Sequence, residues 1–289
     1  MATLLGMAFS PFHSVYGLLF SVTLGFAAPL AAQEAKPEKQ EKPKITIEKA
    51  QELLRAIKGG IGGGAAALEN LEIALSSSEM FDEEFLGRFR KAFDVEKLDR
   101  DFAKLYVDEF TPEATEACLK FFKGEQGLRW AKMNRELTPV LAKLGSEKGM
   151  ELGMKIATGQ PIPPRKPRQK PEEGSLAEKL DKVLEVTRQR EIAQAQMARS
   201  FESMKEQGLP EAMIKQFKEH MNSDFMLDLM RETMLERVDE KMLDAAITFH
   251  GSKAGKDFLD RTMRIDAKAA DIAEKASEAA MMKAMRGGE

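Results

Sequence analysis

The chain has 289 residues with 44 Lys and Arg against 47 Asp and Glu, and the formal net charge of −3 gives no cation excess for a nucleic-acid partner. Hydrophobic residues at 43% are enough for a packed core and too many for a wholly disordered chain. A single cysteine, Cys118, excludes an intramolecular disulfide framework and a thiolate metal cluster, and only His13, His220 and His250 remain for base or ligand chemistry, so no cofactor is expected.

Met1 to Gln33 carries no Asp, Glu, Lys or Arg, and the run from Val15 to Ala28 is apolar enough for a signal-peptide core or a membrane span. Ala27-Ala28-Pro29-Leu30-Ala31-Ala32 supplies small residues for a peptidase, which places a signal peptide at 1–32 with cleavage after Ala32. The alternative is an uncleaved anchor, because the nearest cations, Lys36, Lys39, Lys42 and Lys44, follow the apolar segment. The expected location is therefore periplasmic or secreted, or else held at the inner membrane by that segment alone. Residues 33–44 alternate charge with proline and read as a solvated tether.

From residue 45 onward apolar residues recur at three- and four-residue spacing, with no alternating β-branched run, so the fold is expected to be all-α. Phe81, Phe85, Phe89 and Phe93 form one stripe, and Met226, Met230 and Met234 another. Ser78-Glu-Met, Thr111-Pro112-Glu113 and Ser175-Leu-Ala-Glu178 are helix-start signals. A first helical repeat is read over 45–158 and a second over 175–286. The linker between them, 159–174, is Pro-rich and carries Arg165, Lys166, Arg168 and Lys170. It reads as a spacer before it reads as a proline-motif ligand or an anionic-surface contact.

The repeat rests on an ungapped offset of 128: Phe121-x5-Gly127 aligns with Phe249-x5-Gly255, and Phe85, Phe102, Tyr106 and Trp130 align with Met213, Met230, Met234 and Phe258. At more than 100 residues, each copy is long enough to bury a core of its own.

Phe110-Thr111-Pro112-Glu113 followed by Lys120-Phe121-Phe122-Lys123-Gly124-Glu125-Gln126-Gly127 resembles a secreted bacterial helical family known as domain of unknown function two thousand and fifty-nine. The weaker set Val238-Asp239-Glu240 followed by Thr248-Phe249-His250-Gly251-Ser252-Lys253-Ala254-Gly255 resembles it again. The resemblance implies an exported, all-helical protein of a Gram-negative envelope, and it brings no catalytic residues with it.

The remaining constellations have structural readings. Lys58-Gly-Gly-Ile-Gly-Gly-Gly-Ala65 lacks the strand and the Lys-Ser/Thr of a phosphate loop, and reads as a break or a close helix crossing. Cys118 aligns with Ala246 and reads as a small buried residue. His220 reads as an amphipathic surface residue, and His250, aligned with Phe122, as an aromatic substitute. The carboxylates Asp82-Glu83-Glu84 belong to a helix start. Met226, Met230 and Met234 read first as core, then as an adaptable apolar groove, and last as copper ligands. The expected function is a non-enzymatic binding or structural module with a protein or peptide partner. The alternatives are a chaperone-like binder using the methionine groove and an envelope hydrolase using carboxylates. Phe121, Gly127, Phe249 and Gly255 are assigned a structural role.

Overall fold

The computed structural model describes residues 44–76, 81–164 and 170–287, and within them every regular element is a helix. The apolar N-terminal segment, the first tether up to residue 43, Ser78, and linker residues 165–169 lie outside the described residues. Among those described, no helix is long and apolar enough to cross a membrane.

The helices, in chain order, are α1 (Ile47–Ile57), α2 (Gly63–Ser76), α3 (Glu83–Ala92), α4 (Val95–Glu109), α5 (Pro112–Phe122), α6 (Glu125–Thr158), α7 (Leu176–Val186), α8 (Gln189–Glu206), α9 (Glu211–His220), α10 (Ser223–Leu235), α11 (Glu240–Gly251) and α12 (Lys253–Met285). Short polar side chains start several of them by accepting an otherwise orphaned N–H group of the first turn, whereas α8 and α9, entered at Arg188 and Pro210, have no side-chain cap. Asp82 accepts from Phe85, Asp94 from Lys97, Thr111 from Ala114 with Pro112 in the first turn, and Asn222 from Phe225. Ser175 accepts from the Glu178 N–H, and the Glu178 carboxylate reaches back to the Gly174 N–H at 2.6 Å, one residue before the usual capping box. The starts at 83, 95, 112 and 125 recur at 211, 223, 240 and 253, an offset of 128 each time.

The chain divides into two compact units, but not at the Pro-rich linker. One unit comprises the described residues up to Glu136 together with Lys241 onward; the other comprises Leu137–Glu240. The boundary falls inside α6, two residues before its internal Pro139.

In the first unit α12 packs on α3, α4 and α5, while α4 also packs on α1 and α2. Its core therefore joins the segment 45–136 to residues beyond 240, and the expectation of one core per repeat does not describe this unit. The reason is visible in the packing surfaces. The rings of Phe81, Phe85, Phe89 and Phe93 form a ladder along α3, with centroids 4.6, 6.5 and 5.7 Å apart. Onto it α12 lays Ala280 and Ala284, each 1% exposed, with Ala276 beside them. Side chains this small let the helix approach the rings closely, and a fully buried ring such as Phe89 contributes about 1.5–3 kcal/mol. Arg88 Nε then donates to the Ala284 carbonyl at 2.9 Å, satisfying an orphan acceptor at the C-terminus of α12.

In the second unit α10 packs on α7 and α8, and α8 on α9. The interior includes Leu180, Val183, Met204 and Phe217, and an Arg231–Asp181 ion pair at 3.0 Å ties α10 to α7.

Two glycine positions explain local turns. Gly64 sits where α2 crosses α4, and a Cβ there would overlap the Val95 carbonyl, so the run 58–65 contains a close helix crossing as expected. After α1 the chain turns through Gly60 at φ +100°, and 128 residues later Arg188 takes φ +54° at the same turn, a left-handed conformation that costs an L-residue about 1–2 kcal/mol.

Candidate functional site

The aligned residues of the two segments meet in the first unit. α5 ends at Phe122 and α6 begins at Glu125; the Gly124 N–H donates to the Phe121 carbonyl at 2.9 Å, so the chain reverses within two residues. The α11–α12 corner is built alike, with the Ser252 N–H donating to the Phe249 carbonyl at 3.0 Å and the Ser252 hydroxyl accepting from the Gly255 N–H at 3.1 Å. In both corners the glycine faces the carbonyl six residues earlier, and a Cβ on Gly127 or Gly255 would overlap the oxygen of Phe121 or Phe249. The Phe-x5-Gly spacing is thus a steric requirement of a tight helix–helix corner.

The two corners pair face to face. Phe121 and Phe249 stack with centroids 4.2 Å apart and planes 5° from parallel. Each ring then meets the edge of the other corner's next residue: Phe121 with His250 at 5.9 Å and 76°, Phe249 with Phe122 at 5.6 Å and 74°. An outer pair repeats the pattern, Trp130 with His250 at 6.4 Å and Phe258 with Phe122 at 5.2 Å. The inner contacts agree closely in distance and angle, so the two corners are arranged alike on either side of the Phe121–Phe249 stack. Stacked and edge-on aromatic pairs each add about 0.5–1.5 kcal/mol beyond the area they bury.

His250 is the polar exception in this cluster. It is 3% exposed, and neither ring nitrogen has a hydrogen-bond partner among the described residues. Burial alone pushes its pKa down to about 4, so the ring is neutral at pH 7 and serves as an aromatic plate, as expected. Cys118, one turn before Phe122, is 1% exposed, and burial, reinforced by the Asp257 charge and opposed by Arg261, pushes its thiol up to about 12. Ala246, its counterpart at the 128 offset, is also fully buried. Arg261 anchors the surroundings by donating to Asp257 at 2.8 Å and to the Glu109 carbonyl, with its guanidinium 5.6 Å over the Phe110 ring.

A buried polar group that no sequence motif announces lies in the same unit. Lys58 is half-buried, and burial of its amine lowers its pKa to about 7, with the Asp266 charge opposing. Tyr106 is 1% exposed, and burial, then the Asp266 and Cys118 charges, hold its phenol well above its ordinary range. Asp266 was missed in the sequence, where its signal is a carboxylate at helical spacing with Leu259 and Thr262 on the buried face of α12; residue 138, at the 128 offset, is the buried Thr138. That the Asp266 charge acts on Lys58, just after α1, and on Tyr106 of α4 was not legible, since no local spacing connects them.

The other candidates sit as follows. Met226, Met230 and Met234 are interior residues of the second unit, 5%, 2% and 1% exposed, so an adaptable groove is not presented by these side chains. His220, half-buried, closes α9. The Gly64 N–H, at the start of α2, donates to Asp99 Oδ1 at 2.7 Å, so a carboxylate of the chain itself takes the place an anion would occupy. The adjoining crease of Gln51, Leu54, Arg55, Gly62 and Asp99 is too shallow to enclose a water molecule. Among the described residues no three His, Cys, Asp or Glu side chains converge as metal ligands would.

No family model, curated protein or solved structure matches the chain.

Proposed function

We propose that the chain is an exported, non-enzymatic helical module of the bacterial envelope, built from two copies of one six-helix unit, that acts structurally or by binding a protein or peptide partner. The observation that carries the non-enzymatic reading is the state of its reactive side chains. Cys118, at about 12, keeps its proton, and His250, at about 4, stays neutral, and both are buried. A nucleophile or general base works near its operating pH and within reach of substrate, and this pair fails both conditions. The Lys58 amine is poised near neutrality, but inside the protein with the Asp266 charge acting on it, which suits a buried ionic contact.

The two-copy part is supported by helix starts that recur at 128 and by the matched ring geometry of the corners. Export is supported by the uncharged apolar segment ending in Ala31-Ala32. Osmotic-shock fractionation of cells expressing the full chain, followed by N-terminal sequencing, tests the reading. Release with the envelope contents and a first residue of Gln33 is expected. Recovery in the cytoplasm with Met1 or Ala2 at the N-terminus would refute export.

A further inference from the structure

The chain has 18 methionines, and those described divide by exposure. Met204, Met226, Met230, Met234 and Met242 are 1–5% exposed, whereas Met150, Met154, Met282 and Met285 are 39%, 50%, 50% and 64% exposed. The exposed ones come in two pairs. Met150 and Met154 are one turn apart on α6, beside the Lys148–Glu151–Lys155 ion pairs, on a hydrated face. Met282 and Met285 are three apart on the last turns of α12, where the packing on the phenylalanine ladder is carried by Ala280, Met281 and Ala284.

An exposed thioether keeps its nucleophilic sulfur within reach of small oxidants, and its sulfoxide stays in water, with no polar group forced into the core. We propose that Met150, Met154, Met282 and Met285 are oxidant-accepting modification sites that make this chain a sacrificial sink for hydroperoxides, each taking up one oxygen atom while the fold stays intact. In each event a sulfur lone pair attacks the terminal peroxide oxygen, and the S–O bond forms as the O–O bond breaks. The sulfur is oxidised by two electrons. The departing oxyanion takes the proton of the transferred hydroxyl, leaving as water from hydrogen peroxide or as an alcohol from an organic hydroperoxide.

The test is a time course of hydrogen peroxide on the folded full-length protein, with sulfoxide mapped by peptide mass spectrometry and helicity followed by circular dichroism. Sulfoxide is expected at these four residues about ten-fold or more faster than at Met226, Met230 and Met234, following their accessibility, with helicity and Tm unchanged when the four are fully oxidised. In guanidinium the difference is expected to vanish. A variant carrying Met150→Leu, Met154→Leu, Met282→Leu and Met285→Leu is expected to consume less peroxide in the native state. Equal rates at exposed and interior residues in the folded protein, loss of helicity in step with oxidation of the four, or undiminished consumption by the variant would overturn the proposal.

Discussion

Replacing His250 by Phe separates the aromatic role of this ring from the burden of its nitrogens. Both nitrogens are buried without hydrogen-bond partners, and leaving such a group unsatisfied costs about 1–3 kcal/mol. Phe122, at the equivalent place in the other corner, shows that the cluster accepts a phenyl ring there. A change of shape in a packed core costs about 1–3 kcal/mol in return, so His250→Phe is expected to be neutral to modestly stabilising at pH 7.5. The larger effect is on pH dependence. The folded-state pKa of about 4 lies below the ordinary 6.5, so between those values the unfolded chain takes up the proton first. The neutral ring's contribution is intact above about pH 6.5, is lost progressively as pH falls, and is gone below about pH 4. The whole loss amounts to about 3 kcal/mol, because each tenfold difference in proton affinity between the folded and unfolded chain is worth about 1.36 kcal/mol. Trp130, the one tryptophan of the chain, lies 6.4 Å from the His250 ring and reports unfolding of this unit by fluorescence. Urea titrations of both proteins at pH 7.5 and 4.5 are expected to show the wild type losing about 2–3 kcal/mol more than His250→Phe. An identical loss in the two proteins would show that His250 is not held as a buried neutral ring in the folded protein.

Three further outcomes follow from the same packing. Gly127→Ala and Gly255→Ala each drive a methyl group into a corner carbonyl, and each is expected to destabilise the fold by about 2–4 kcal/mol in urea titrations, against less than about 1 for Gly87→Ala, where a Cβ meets open space. The Cys118 thiol is expected to remain unmodified by an aromatic disulfide reagent at pH 8 until the protein is unfolded, read as thiol release before and after adding guanidinium. Met230→Leu is expected to shift stability by less than about 1.5 kcal/mol and Met230→Ala to cost about 2–5, in thermal or urea unfolding.

The local physics was legible in the sequence and the long-range physics was not. Helix content, the Thr111 and Ser175 starts, the phenylalanine stripe, and the burial of Cys118 and His250 all follow from spacing and side-chain chemistry within about one turn. The phenylalanine helix is capped by Asp82, one of the carboxylates that mark a helix start in the sequence. The Phe-x5-Gly spacing was visible as a pattern, and its cause, a carbonyl pressed against the glycine, needed three dimensions. Which surfaces would meet was hidden for a further reason. Ala276, Ala280 and Ala284 of α12 are as suitable for a neighbour in their own segment as for the ladder on α3, and helical periodicity names the buried face without naming its partner. The boundary of the compact units was missed because prolines mark the linker at 159–174, whereas the boundary falls within the residues of α6.

Residues 128 apart in sequence close one shared core by stacking Phe121 on Phe249. A double-mutant cycle of Phe121→Leu, Phe249→Leu and the double variant, followed by Trp130 fluorescence in urea, tests it most directly. The second substitution is expected to cost less once the first is present, with a coupling of about 0.5–1.5 kcal/mol. Effects that add to within about 0.3 kcal/mol would show that the two rings do not touch in solution, and would contradict the paired-corner fold.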